Sequence, residues 1–360
     1  MNTKIEPEED FGSEDDFNDK PLDKNVRLLS PTRMVLKRFF RSKLSIIGLI
    51  IVVGLIIFSW LGPVVLSGWG ETEVDESGKI EYEYISEITY TDDTGTHTMY
   101  QVVEKELMRN QLAPLGSYGT NKDGNQAIHL FGTDESGHDI FTRIMFGGRI
   151  SLTISFIAVF VTTFLGIVFG GISGYFGGWV DSLIMRLCDV LMCLPGLPLM
   201  LVIGTILESF GVPQQYKIYF LMFTLTLVSW PGTARLVRGQ ILSLREQEYM
   251  VAADAMGYSS GRKIFKHLVP NVMPQIIVSM TLSLGSMILY EATLSYLNLG
   301  VQAPYAAWGT MINIVSSNTN ILTNYFNVWG PPGICIILAV VGFNFIGDGL
   351  RDALDPRMKR

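Results

Sequence analysis

The chain has 360 residues, 48% of them apolar and 17% charged, and carries a formal net charge of −7. So apolar a chain is not an ordinary soluble enzyme, and its acids crowd into residues 1–25 and 71–106 instead of covering a solvated surface. Cys188, Cys193 and Cys335 all lie in apolar segments, so neither a disulfide framework nor a zinc site is indicated, and they read as small buried hydrophobes.

Residues 1–25 are acidic and nearly free of aliphatic side chains, and a segment that cannot bury a core reads as disordered. We place the boundary of this tail at residue 36. A basic cluster (Arg33, Lys37, Arg38, Arg41, Lys43) then precedes the apolar run 44–66, long enough to cross about 30 Å of hydrocarbon. The positive-inside rule puts the N-terminus in the cytoplasm. Trp60-Leu61-Gly62-Pro63 offers no small-residue cleavage site, so residues 37–66 form a retained first transmembrane helix.

Residues 67–148 form an extracytoplasmic insert and a lead-in to the second span. Alternating runs at 80–85 and 87–90, ended by the turn residues Asp92-Asp93-Thr94-Gly95, predict a β-hairpin. The acids and His138 of Thr133-Asp134-Glu135-Ser136-Gly137-His138-Asp139 resemble a metal or acid–base site, but a side-chain-capped turn entering a helix needs the same residues.

Residues 149–360 hold five more spans. The second, 150–173, carries Gly166, Gly170, Gly174 and Gly178 every four residues, a strip for close helix packing in lipid. The third runs to about 207, with Pro195 and Pro198 predicted to break it and Arg186 predicted to pair with Asp189. The fourth (218–230), fifth (275–297) and sixth (333–346) follow, with no charged residue from 301 to 347 and a basic end. Glu291, an acid at membrane depth, should face a partner or an aqueous path.

The stretch 245–274 interrupts this apolar half. Tyr249, Ala252, Ala253 and Met256 fall on one helical face, Gly257 suits a left-handed position past the helix end, and Ser259 or Ser260 caps a second helix over 261–268. Pro270 and Pro274 then turn the chain. Six cations (Arg235, Arg238, Arg245, Arg262, Lys263, Lys266) put this hairpin in the cytoplasm.

Ala252-Ala253, three residues, Gly257, and a basic-apolar run ending at Pro270 resemble the EAA loop of ABC-importer permeases. Phe131 to Asp139, Leu236-Val237-Arg238-Gly239-Gln240, Arg245 to Tyr249 and Gly347 to Pro356 resemble the C-type permease of the oligopeptide and dipeptide subfamily, over about two thirds of the chain. Val251 stands where the family has its opening acid, and His138 where it has Arg. The resemblance implies an all-α polytopic protein of the bacterial plasma membrane with the type I ABC-importer permease fold. Six transmembrane helices would leave both termini cytoplasmic, with the small β-rich insert between helices 1 and 2. It implies import of oligopeptides or dipeptides, with Glu248, Ala252, Ala253, Asp254, Gly257, Phe265 and Pro270 docking an ATPase and Glu291 in the translocation path. Implied partners are a second homologous permease, two ATP-binding subunits, an extracytoplasmic peptide-binding protein and membrane lipid, with no nucleic acid.

This chain holds no ATP site of its own. Gly257-Tyr258-Ser259-Ser260-Gly261-Arg262-Lys263-Ile264 has the wrong spacing for a phosphate loop and no hydroxyl after a Gly-Lys pair. The resemblance therefore leaves ATP and magnesium to the partner subunits, with no cofactor here. A secondary transporter or channel driven by an ion gradient is the alternative, and it would want midplane acids and paired broken helices.

Overall fold

The computed structural model describes residues 31–354 except positions 67, 76–78, 93, 109–114, 121–123, 125, 302–304 and 318. The acidic residues 1–30 and the basic end 355–360 lie outside the described residues. Residues 31–36, placed in the tail by sequence, belong to a short helix, α1 (Pro31–Phe39).

Among the described residues five helices are long and apolar enough to cross a membrane, or six if one sharply bent helix pair is counted as a span. The first is α2 (Lys43–Val65), capped by the Ser42 side chain, which accepts from the Ser45 N–H. Its buried residues Ser45, Gly48, Val52, Leu55, Ser59 and Gly62 recur at alternating steps of three and four. Most are small, and small residues let helices approach where apolar area gives no driving force between them. The opposite row, Leu44, Ile47, Ile50, Ile57 and Leu61, is exposed, as lipid-facing side chains are.

Between α2 and the next span, β1 (Lys79–Asp92) and β2 (Gly95–Met108) pair antiparallel with Asp92 opposite Gly95. A second ladder joins β3 (Ser117–Thr120) to β4 (Gln126–His129).

The bundle is built round α3 (Ile140–Phe176), whose 37 residues span about 55 Å at 1.5 Å each. Gly177, at φ 65°, ends it, and α4 (Gly178–Cys193) and α5 (Gly196–Ser209) follow, bent by 77° at the break before Pro195. The helix α6 (Gln214–Leu244) runs parallel to α3, its residue numbers rising in step with those of α3 along the contact, and passes through Pro231. An ideal Cβ on Gly166 would lie 2.5 Å from Thr233 Cβ, one on Gly170 would strike Ala234 and Val237, and one on Gly174 would lie 3.0 Å from the Arg238 carbonyl and Ile241.

The helices α7 (Glu248–Ala255), α8 (Ser260–Arg262) and α9 (Val269–Tyr296) carry the chain back. After α10 (Trp308–Ser317) and α11 (Thr319–Asn324), α12 (Phe326–Leu354) returns beside α2 and α9. The Trp308 side chain is fully buried and its indole N–H donates to the Ile144 carbonyl at 2.9 Å, fixing α10 on α3. Asp189 pairs with Arg235 of α6, not with Arg186 three residues away, so the ion pair ties two elements together. Asp181 pairs with Arg238 in the same way, at 2.5 Å.

Candidate functional site: the elbow before α9 and its buried acid

The polar stretch folds as an elbow whose turn is set by one residue. Gly257 stands at φ 68°, and the Tyr258 N–H donates to the Ala253 carbonyl while the Gly257 N–H donates to the Asp254 carbonyl. This pair of bonds closes the last turn of α7 in the left-handed manner that glycine allows without strain. Lys263 and Asp254 form an ion pair across the bend, Arg262 lies 4.2 Å over the Tyr258 ring, and Tyr258 stacks on His267. On the near side, Arg245 donates to the Gly174 and Tyr175 carbonyls at the end of α3.

Two expectations for this stretch are corrected. Ser259 makes no side-chain cap, and the chain does not stop at the prolines. Residues Lys263–Leu268 take a π turn, with the Val269 N–H bonding five residues back to the Ile264 carbonyl, and α9 continues through Pro270 and Pro274. A proline at the first positions of a helix needs no N–H partner, and the wider turn ahead of it relieves the ring's clash with the preceding carbonyls. The buried face of α7 also differs from the expected one. Met250 packs with Val237, Ile241, Leu268, Val272 and Ile276 and Ala253 is buried, while Tyr249, Ala252 and Met256 are exposed.

Of the residues singled out by sequence, Glu248, Ala252, Asp254, Gly257, Phe265 and Pro270 are all exposed on this elbow and Ala253 lies beneath them. Around Ala252 and Gly257 stand Val251 (62% exposed), Met256 (60%) and Phe265 (56%). Apolar side chains clustered at a polar bend leave a surface that a solvated loop does not need. Beside the elbow a cavity of about 490 Å³ opens between α6, α9 and α12, with Gln240, Asn271, Gln275, Ser279 and Arg351 on its wall.

Glu291 lies near the far end of α9, roughly 30 Å from Pro270 along the helix. It is fully buried, one carboxylate oxygen accepting from the Ser295 hydroxyl at 2.8 Å, with Ser151 of α3 beside it. Ser151 in turn accepts from the Trp308 N–H at 3.3 Å, at the start of α10. The acid is thus a polar joint among α9, α3 and α10.

Residues 166–360 match the family described as the binding-protein-dependent transport system inner membrane component, and residues 30–75 match the N-terminal TM domain of oligopeptide transport permease C. The chain belongs to this transport-permease family. A dipeptide transport system permease protein of Alkalihalophilus pseudofirmus is 36% identical over 95% of each chain. An oligopeptide transport system permease protein of Bacillus subtilis is 41% identical over 64% of this chain and 73% of that one. A chain of the MetNI methionine ABC transporter, in an inward-facing form, aligns at 17% identity with a TM-score of 0.41, covering 57% of this chain and 95% of that one.

At the other end of the permease the lead-in to α3 is a capped turn. Asp139 accepts from the Thr142 N–H at 2.7 Å, and Asp134 accepts from the Ser136 and His138 N–H groups. Burial raises the Asp134 carboxyl, but the His138 hydrogen bond and the Arg143 and His138 charges outweigh it and hold the group below the ordinary carboxylate value. Among the described residues, no group of three or more His, Cys, Asp or Glu could hold a metal ion.

His129, Asp75 and Trp69 carry no motif that singles them out, yet they join the β3–β4 ladder to this turn. The His129 ring lies 2.9 Å from Asp139 Oδ1 and 3.4 Å from Asp75 Oδ2, with the Trp69 indole stacked on it at 4.2 Å. The Thr120 N–H donates to the second Asp75 oxygen at 2.9 Å, so the chain after α2, the small ladder and the start of α3 share one buried polar knot.

Proposed function

We propose that this permease is one half of the translocation path of an ATP-driven importer of oligopeptides or dipeptides, and that it receives an ATPase subunit on the elbow around Gly257. The observation that carries the reading is the exposed cluster of Val251, Met256 and Phe265 round the small residues Ala252 and Gly257. It is held on a rigid bend and continuous with α9. Small residues admit a partner's surface, exposed apolar groups give it area to bury, and Glu248 and Asp254 rim it with charge. The absent acid at Val251 leaves a more apolar socket than the family pattern. By the charge asymmetry this end faces the cytoplasm, with both termini on the same side.

In this reading α9 is a lever. A push at Pro270 travels along a continuous helix to Glu291, beside Ser151 of α3, which accepts from the Trp308 N–H at the start of α10 at the opposite end. The cavity beside Arg351 is the inner mouth of the path, which a second homologous permease completes. A second ATP-binding subunit serves that partner, ATP and magnesium stay with the ATPases, and an extracytoplasmic binding protein delivers the peptide. The similarity to curated dipeptide and oligopeptide permeases supports this cargo.

The test is Ala252→Arg. Ala252 is exposed, so the substitution leaves the bundle intact while filling the socket with a long cation. Normal membrane insertion with loss of the co-purifying ATPase is the expected result, and undiminished ATPase recovery with normal peptide uptake would refute the docking assignment.

A further inference from the structure

The helix α1 has a use that transport does not explain. Its buried side is Phe39, 7% exposed, lodged against Gly349 in the last turns of α12. Its outer side presents Arg33, Leu36, Lys37 and Phe40, at successive steps of three, one and three, which fall on one helical face. Leu36 is 58% exposed and Phe40 50%, and with the two cations they line an open recess of about 380 Å³.

The charge here is one-sided. Lys24, Arg27, Arg33, Lys37, Arg38, Arg41 and Lys43 occupy a stretch of sequence, 24–70, that contains no acidic residue. No carboxylate among the described residues pairs with Arg33 or Lys37. The exposed apolar side chains continue directly into the lipid-facing row of α2 at Leu44 and Ile47. Two cations over two apolar groups, at the point where the chain meets the bilayer, match the chemistry of a phospholipid: a phosphate above, an acyl chain below.

We propose that α1 is a binding site for an anionic phospholipid. The headgroup phosphate sits between Arg33 and Lys37, and the acyl chain runs over Leu36 and Phe40 towards α2. Because Phe39 ties α1 to the end of α12, an occupied site holds that end of the bundle at the membrane surface. The site stands whether or not the cargo is a peptide.

The experiment is phospholipid analysis of the full-length protein, extracted in mild detergent from vesicles of equal phosphatidylglycerol and phosphatidylethanolamine. Retained phosphatidylglycerol should exceed phosphatidylethanolamine in the unaltered chain. The double substitution Arg33→Gln with Lys37→Gln should lower phosphatidylglycerol affinity roughly thirty-fold, which is about 1 kcal/mol for each cation. Arg33→Lys with Lys37→Arg should keep it, showing that charge and not folding is lost. Equal retention of the two lipids, or no change in the glutamine variant, would overturn the proposal. Enrichment arising only after deletion of the acidic residues 2–23 would also overturn it, since the tail would then occupy the site in the intact protein.

Discussion

Gly170 and Gly171 are neighbours in α3, and the structure assigns them opposite responses to the same substitution. A methyl group on Gly170 would lie 2.9 Å from Val237 Cβ and 3.0 Å from Ala234 Cα, and closer still to the Ala234 carbonyl oxygen. Carbon–carbon contacts settle near 3.5–4.0 Å, so α6 would have to retreat by roughly 0.5–1 Å along a packed seam. Overpacking of this kind costs about 1–3 kcal/mol, against a gain of up to about 1 kcal/mol from replacing glycine inside a helix. A methyl group on Gly171 would meet only Ile264 at 3.6 Å and Ile241 at 3.8 Å, ordinary contacts that leave the helical gain of about 0.5–1 kcal/mol intact. Gly170→Ala should therefore lower the thermal unfolding midpoint in detergent and Gly171→Ala should raise it or leave it unchanged. At roughly 2–4 °C per kcal/mol the two variants should differ by several degrees. Equal shifts, or a stable Gly170→Ala protein, would show that α3 and α6 do not meet along the glycine strip.

Other parts of the molecule give three more expected outcomes. Gly257→Val places a β-branched residue at φ 68° with open space around it, so about 1–2 kcal/mol of backbone strain falls on the elbow alone. The protein should insert normally and lose peptide uptake, as immunoblotting and uptake in cells would report. Glu291→Gln keeps an acceptor for Ser295 and should unfold near the unaltered protein, whereas Glu291→Leu strands a buried hydroxyl and should cost about 1–3 kcal/mol. Asp134, with its carboxyl held below 3.8, adds stability that is fully present above that pH and is lost as pH falls through its lower folded value. The midpoint difference between the unaltered protein and Asp134→Asn should accordingly shrink on acidification below about pH 4.

Five of the spans were legible because long apolar runs have no other stable home. Which face of α2 is buried was not, since lipid and protein interior are equally apolar. In α2 the only trace is the small-residue rhythm of Ser45, Gly48, Ser59 and Gly62, while the exposed row is more hydrophobic than the buried one. Pro270 and Pro274 read as stops but lie inside α9, because neighbouring helices and a π turn accommodate what a proline frees in an isolated segment. The Asp189–Arg235 pair joins residues 46 apart, a distance at which sequence proximity to Arg186 misleads. At the elbow, Gly257 was readable because a left-handed bend is a local property. The buried face of α7 was not, because eight residues with Met250 and Ala253 inward carry too weak a period to choose a side.

That the ATPase grips the elbow is tested most directly by photocrosslinking in membranes of cells that express the whole transporter. Crosslinking residues are placed one at a time at Val251, Met256 and Phe265, with controls at the exposed Leu115 and Tyr118 at the other end. Adducts with the ATP-binding subunit from the three elbow positions and none from the controls are the predicted result. An ATPase adduct from the control positions, or none from the elbow in cells that still take up peptide, would contradict it.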